Sequence, residues 1–283
     1  MINHYVPTSL NDALKYLSTH DCYIMSGGTD LMVQKHVSSL VLPRFDKDVL
    51  YVGELKELQY IKEDKDGNIL IGAETKYADL LLSPIVPEIY KTVIKEIASP
   101  NIRNMATMVG NIGNASPAGD SLVPLILNDA EVVLKSANGE RVLKVSEYIL
   151  GVKKTARKND EIIVEIRLLK QNLRYLYRKV GARKAESITK VSCLVGYQIK
   201  EKKLIDFRVA FGSVGVTIIR SLEIENKYKN IEVNDLDVDR VISDYYPLVT
   251  PIDDQRSNKE YRHKVAMNLL RKFLLELKGG IDE

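Results

Sequence analysis

Cysteine, histidine and uninterrupted apolar stretches are all scarce in this chain, and each shortage closes off a class of function. The two cysteines, Cys22 and Cys193, lie far apart among strand-like residues. They read as buried free thiols of a reducing compartment, and they fall short of the roughly four thiolates that an iron–sulfur cluster takes. The four histidines, His4, His20, His36 and His263, show no pairing at metal-ligand spacing, so no metal is expected on this polypeptide. No segment approaches the ~18 consecutive apolar residues of a membrane span. The N-terminal MINHYVPTSLNDALKYL also lacks the cationic start and apolar core of a signal peptide. A cytoplasmic location without membrane insertion is therefore expected. Charge of one sign is lacking too: the net charge is only +3, whereas a nucleic-acid partner would call for clustered Lys and Arg. The one basic run, GVKKTARKND (151–160), is short enough to be a solvated loop.

What is present is an ordinary globular composition, 45% hydrophobic and 28% charged, in a chain of 283 residues, long enough for two modest domains. Leu10, Ala13, Leu14 and Leu17, behind Pro7-Thr8-Ser9, predict a short helix. CYIM then reads as a buried strand, SGGTD as a turn, and LMVQKHV as a short helix capped by Thr29 or Asp30. That order is a fragment of an α/β layer. VLYVGEL is another strand, and LQYIKEDKDGNILIGAETKYADLLLS reads as strand, Asp-Gly turn, strand and a helix from about Tyr77. AEVVLKSANGERVLKV predicts a hairpin around Asn138-Gly139, with DEIIVEIRL as a further strand.

Beyond Lys170 the character changes. KVSCLVGYQIKEKKLIDFRVAFGSVG is a long antiparallel hairpin, followed by two helical segments, so a domain boundary is expected near 170–174. The last helix is predicted to begin at Ser257, with Ser257 and Glu260 as a capping box. Tyr261, Val265, Leu269, Phe273 and Leu277 form its apolar face.

Two stretches stand apart, YIMSGGTDLMV (23–33) and MATMVGNIGNASPAGDSLVPLI (105–126). Each joins a strand-like lead, a glycine-bearing turn, polar residues able to cap amides, and a return to apolar residues. Glycine lets another group approach the main chain closely, and successive peptide N–H groups in such a turn form a concave anion site. Neither SGGTD nor VGNIGNAS carries Lys or Arg, so a diphosphate bound there would be held chiefly by peptide dipoles and hydroxyls. Each loop alone reads more readily as an ordinary tight turn; together they are a stronger signal.

SGGTDL, IRNMATMVGNIGNASPAGDS, YRKVGAR and PIDDQRSNKEYR occur in the order found in the flavin-binding medium subunits of molybdenum hydroxylases. That family includes carbon monoxide dehydrogenase, bacterial xanthine dehydrogenase and nicotinate dehydrogenase, and the resemblance spans almost the whole chain. Residues 102–121 are its most specific piece, similar to R-N-x-A-T-x-G-G-N-x-x-N-A-S-P-x-x-D. The resemblance implies an α+β fold. A PCMH-type FAD-binding region over 1–170, in two α/β subdomains split near residue 55, precedes a smaller C-terminal flavoprotein domain over 174–279 with an antiparallel, three-stranded sheet and helices. It also implies a role: an FAD-dependent oxidoreductase subunit of a heterotrimer. The FAD receives electrons from [2Fe-2S] clusters on a small iron–sulfur subunit and passes them to NAD+ or another acceptor. A large molybdopterin subunit oxidises the substrate, and no catalytic residue or metal ligand is implied on this chain. A self-sufficient flavin oxidase or reductase of related fold, and a non-catalytic subunit that has lost FAD, are the alternatives.

Carried onto this sequence, the resemblance places Ile24, Met25, Ser26, Gly27, Gly28, Thr29, Asp30 and Leu31 in the first diphosphate loop, and Thr107, Gly110 and Asn111 in the second. It implies that Asp120 meets FAD through ribose or adenosine hydroxyls and that Lys179 lies near the flavin, where a cation stabilises the reduced ring. Ile162 or Ile163 covers that ring, with Tyr177 close by or in the core. One departure stands out: the family has Gly-Gly-Asn where this chain has Val109-Gly110-Asn111, and a branched residue does not easily take φ > 0.

Overall fold

The computed structural model describes residues 2–36, 38 and 41–279. The chain divides at 115/116, 128/129 and 170/171 into two compact units, so that residues 116–128 group with the C-terminal part. The cause is the helix Leu122–Leu127, every residue of which is buried. A helix apolar on all sides needs cover all round, and this one packs on two strands of the second unit.

The first unit carries two sheets. Strands β1 (His4–Tyr5), β2 (Cys22–Met25) and β3 (Asp48–Tyr51) are parallel in the order β1-β3-β2. Helix α1 (Leu10–Leu17) is capped by Ser9, whose hydroxyl accepts from the Asp12 amide at 3.1 Å. Helix α2 (Leu31–Gln34) follows β2 after the first glycine turn. The second sheet holds β4 (Ile61–Glu63), β5 (Ile69–Gly72), β6 (Glu131–Ser136) and β7 (Gly139–Lys144). A small hairpin, β8 (Ile149–Gly151) with β9 (Lys154–Thr155), leads to β10 (Ile162–Leu168), and the antiparallel order is β4-β5-β10-β6-β7. Helices α3 (Tyr77–Leu82), α4 (Glu88–Lys95), α5 (Pro100–Arg103) and α6 (Met108–Asn114) lie between β5 and β6 in the chain. Leu14, Leu17, Leu50, Val52, Leu58, Val133, Ile162 and Val164 belong to one buried cluster joining both sheets. Helix α7 is the buried Leu122–Leu127, and α8 (Val145–Tyr148) joins β7 to β8.

In the second unit β11 (Arg174–Val180), β12 (Val191–Lys200), β13 (Lys203–Gly212) and β14 (Ile219–Arg220) form an antiparallel sheet, with β15 (Ile231–Glu232) on β13. Three strands are long and two are two-residue additions, against the three-stranded sheet expected. The β12–β13 turn places Glu201 and Lys202 at φ 51° and 64°, as a two-residue hairpin with the strands' own twist requires. Arg220 donates to the Ile126 carbonyl and Arg208 to that of Leu127, tying α7 to this sheet.

Helices α9 (Leu222–Lys227), α10 (Val238–Tyr245) and α11 (Lys259–Gly279) complete this unit. The start of α11 differs from expectation: Asn258 Oδ1 accepts from the Tyr261 amide at 2.8 Å, while the Ser257 amide donates to Asp254. No Ser257–Glu260 box forms. The buried stripe is Arg262, Ala266, Leu270, Phe273, Leu274 and Leu277, and Tyr261 is 43% exposed. A strict every-fourth pattern drifts around a helix of 3.6 residues per turn, which leaves Val265 and Leu269 at the edge of the core. Leu270→Ala is expected to cost about 3 kcal/mol by denaturant unfolding, and Tyr261→Ala less than about 0.5 kcal/mol. Cys22 and Cys193 are buried and free. Among the described residues, no helix is long and apolar enough to cross a membrane, and no group of three or more His, Cys, Asp or Glu could hold a metal ion.

Candidate functional site

The first glycine stretch and residues 105–115 of the second meet in the first unit. From Met25, the end of β2, the chain turns through Ser26 to Asp30 into α2. Gly28 has φ +67°, left-handed backbone that favours glycine. Gly27 is glycine for a different reason: a Cβ there would sit 2.0 Å from the Met105 carbonyl oxygen and 3.1 Å from the Ala106 Cα. The first turn thus lies against the main chain just ahead of Thr107.

The second stretch is not the turn expected. Thr107 is extended, and its Oγ1 accepts from the Gly110 amide at 2.9 Å, so Met108–Asn114 is helix α6. Val109 therefore needs no positive φ: it occupies the first turn of α6, and its side chain packs on the core shared by α1, β2 and β3. Asp30 precedes α2 without capping it; its carboxylate accepts from Gln34 Nε2 instead.

Side chains link the two stretches at both ends. Ser26 Oγ donates to Glu74 Oε2 at 2.7 Å and lies 3.2 Å from Thr107 Oγ1. Lys76 Nζ donates to the same Glu74 oxygen at 3.2 Å. At the far end Gln34 Nε2 donates to Asn114 Oδ1 at 2.9 Å, and Lys153 Nζ donates to Gln34 Oε1 at 3.2 Å. Burial pushes the Glu74 carboxyl above its usual range, against the pull of Ser26 and Lys76. Glu74 escaped the sequence reading because a Glu beside Thr and Lys at a strand exit looks like a solvated charge.

This donor set suits a diphosphate. The amides of Gly27, Gly28, Thr29, Asp30, Met108 and Val109 meet no protein acceptor among the described residues. Most of these residues are only partly buried, so their amides are open to water or to an anion, and neither turn carries a cation of its own.

Asp120 and Lys179 belong to the second unit, where they are partners. Lys179 Nζ, on β11, donates to Asp120 Oδ2 at 2.6 Å, with side-chain exposures of 7% and 9%. Thr189, just before β12, donates to the other carboxylate oxygen. Burial raises the Asp120 pKa, opposed by the Lys179 charge and both hydrogen bonds. Ile163 is buried in β10 opposite Leu134, facing away from the cluster that holds Ile162 and Val164. Tyr177 lies on β11 opposite Leu194.

Comparisons with known proteins match the chain in two successive parts. The model of the FAD binding domain in molybdopterin dehydrogenase matches residues 1–168, and that of the CO dehydrogenase flavoprotein C-terminal domain matches 176–277. The glyceraldehyde dehydrogenase medium chain of Sulfolobus acidocaldarius is 28% identical over 273 residues, 95% of each chain. The putative xanthine dehydrogenase FAD-binding subunit of Escherichia coli K12 is 26% identical over 281 residues, 97% of this chain and 95% of that one. A solved carbon monoxide dehydrogenase chain from Hydrogenophaga pseudoflava has the same fold, with a TM-score of 0.87 at 24% identity over 96% of this chain and 95% of its own. The chain belongs to the family of FAD-binding domains in molybdopterin dehydrogenases, with the CO dehydrogenase flavoprotein C-terminal domain behind it.

Proposed function

We propose that this chain is the FAD-carrying electron-transfer subunit of a multi-subunit molybdenum hydroxylase. It takes electrons from iron–sulfur clusters on a small partner subunit and hands them to NAD+ or another acceptor, while a large molybdopterin subunit oxidises the substrate. One observation carries the reading: the two glycine stretches adjoin so closely that Gly27 has no room for a Cβ, and together they offer peptide amides with no acceptor among the described residues. When bound, FAD supplies the exchange between single-electron and hydride transfer.

The chain's own residues hold and orient it. The amides of Gly27 to Asp30 and of Met108 and Val109 bind the diphosphate, with the Thr29 hydroxyl beside them. The rest of the segment Ile24 to Leu31, with Gly110 and Asn111, shapes that cradle. Asp120 accepts from sugar hydroxyls: its oxygens each accept one bond from Lys179 or Thr189 and each retain a second lone pair. Lys179 supplies positive charge near the reduced ring, and Ile163 an apolar cover. With only two cysteines in the chain, the clusters reside on a partner.

The test is flavin content. The purified full-length chain is expected to carry one non-covalent FAD, released on denaturation. Reduction by NADH, read as loss of the flavin's visible absorbance, identifies the acceptor. A chain that stays empty in excess FAD overturns the proposal, and steady turnover of an organic substrate by the chain alone favours a self-sufficient flavin oxidase.

A further inference from the structure

We infer that Glu74 is a positioning residue of the cofactor site: its carboxylate orders the Ser26 and Thr107 hydroxyls into one directed chain and so locks the two glycine stretches together. The inference rests on the FAD reading above. Ser26, Glu74 and Thr107 come from three separate parts of the chain, and Glu74 and Thr107 are 1% and 3% exposed. Paired with Lys76 at 3.2 Å, the Glu74 carboxylate only accepts, which fixes the direction of every bond behind it. The Ser26 proton goes to Glu74 Oε2. The contact between Ser26 and Thr107 then takes its proton from Thr107, whose oxygen accepts from the Gly110 amide.

Each hydroxyl has a single proton, so neither Ser26 nor Thr107 has one left for a phosphate oxygen. Of the hydroxyls in the first stretch, only that of Thr29 keeps a proton for a phosphate oxygen, beside the peptide amides. This revises the expectation that hydroxyls of both stretches share the diphosphate. Lys76, which donates to the same carboxylate oxygen as Ser26, offsets the charge, so that a buried anion can stand behind an anion-binding turn.

FAD affinity of the full-length chain, by quenching of FAD fluorescence, tests this. Glu74→Ala leaves the Ser26 hydroxyl without its acceptor and is expected to weaken binding about 30-fold. Glu74→Gln keeps an acceptor oxygen and stays within about 3-fold of wild type. If Glu74 acts through Ser26, then Ser26→Ala weakens binding by itself, and Ser26→Ala with Glu74→Ala is no weaker than Glu74→Ala alone. Effects that multiply, or wild-type affinity in Glu74→Ala, overturn the inference. Should Glu74→Ala not fold, Ser26→Ala decides: wild-type affinity there refutes it. A wild-type chain that takes up no FAD sinks the FAD reading itself, a result distinct from all of these.

Discussion

Gly27→Ala is expected to weaken FAD binding at least about 100-fold, equivalent to about 2.7 kcal/mol, although it adds one methyl group. That methyl would sit 2.0 Å from the Met105 carbonyl oxygen and 2.7 Å from its carbon. Both are main-chain atoms that cannot rotate away, so the two stretches must separate and their amides diverge. Gly28→Ala provides the contrast. A Cβ there meets only the side chains of Met25 and Met32 at 3.3 Å, and these thioethers adapt readily. Its cost is the left-handed backbone, about 1–2 kcal/mol for a non-glycine residue, so about a tenfold loss of affinity is expected. Titration of both variants with FAD, with melting curves of the flavin-free chains, checks the ranking. A Gly27→Ala chain that binds FAD like wild type would show that the close approach has no part in cofactor binding.

Legibility from sequence followed the range of the interactions. Helix α1 and its Ser9 cap, the β12–β13 hairpin and the Gly27-Gly28 turn rest on neighbours in the chain, and local pattern exposes them. The VGNIGN segment was misread because each helical glycine costs about 1 kcal/mol relative to alanine. Here the Thr107 cap and the burial of Met108 and Ile112 decide for helix. Residues 116–128 fall inside the FAD-binding family match over 1–168, yet they pack with the second unit, and nothing in SLVPLIL names the sheet that covers it. Glu74 and Thr189 went unremarked for the same reason. Each matters through a partner distant in sequence, Ser26 for the one and Asp120 for the other. The resemblance pointed to Asp120 and Lys179 one at a time; their partnership, across 59 positions, is a product of folding.

That partnership makes the larger stability effect a prediction about charge. Asp120→Ala removes the carboxylate 2.6 Å from the nearly buried Lys179 ammonium and is expected to destabilise the chain by about 3 kcal/mol in denaturant unfolding. Lys179→Met is expected to cost less, because the Asp120 carboxyl, already pushed upward by burial, can take a proton once its cation is gone. The sign follows from linkage. A carboxyl with a raised folded pKa binds its proton more tightly folded than unfolded, so Lys179→Met is most stable below the ordinary Asp pKa. That advantage is lost as pH rises through the folded value. The double variant Asp120→Leu with Lys179→Met replaces the pair by apolar groups and is expected to recover most of the stability, since such replacements are often neutral or better. FAD affinity is expected not to recover, because the acceptor proposed for sugar hydroxyls and the cation proposed beside the ring are both gone. A double variant that is stable and also binds FAD like wild type would leave the Asp120–Lys179 pair a purely structural bridge.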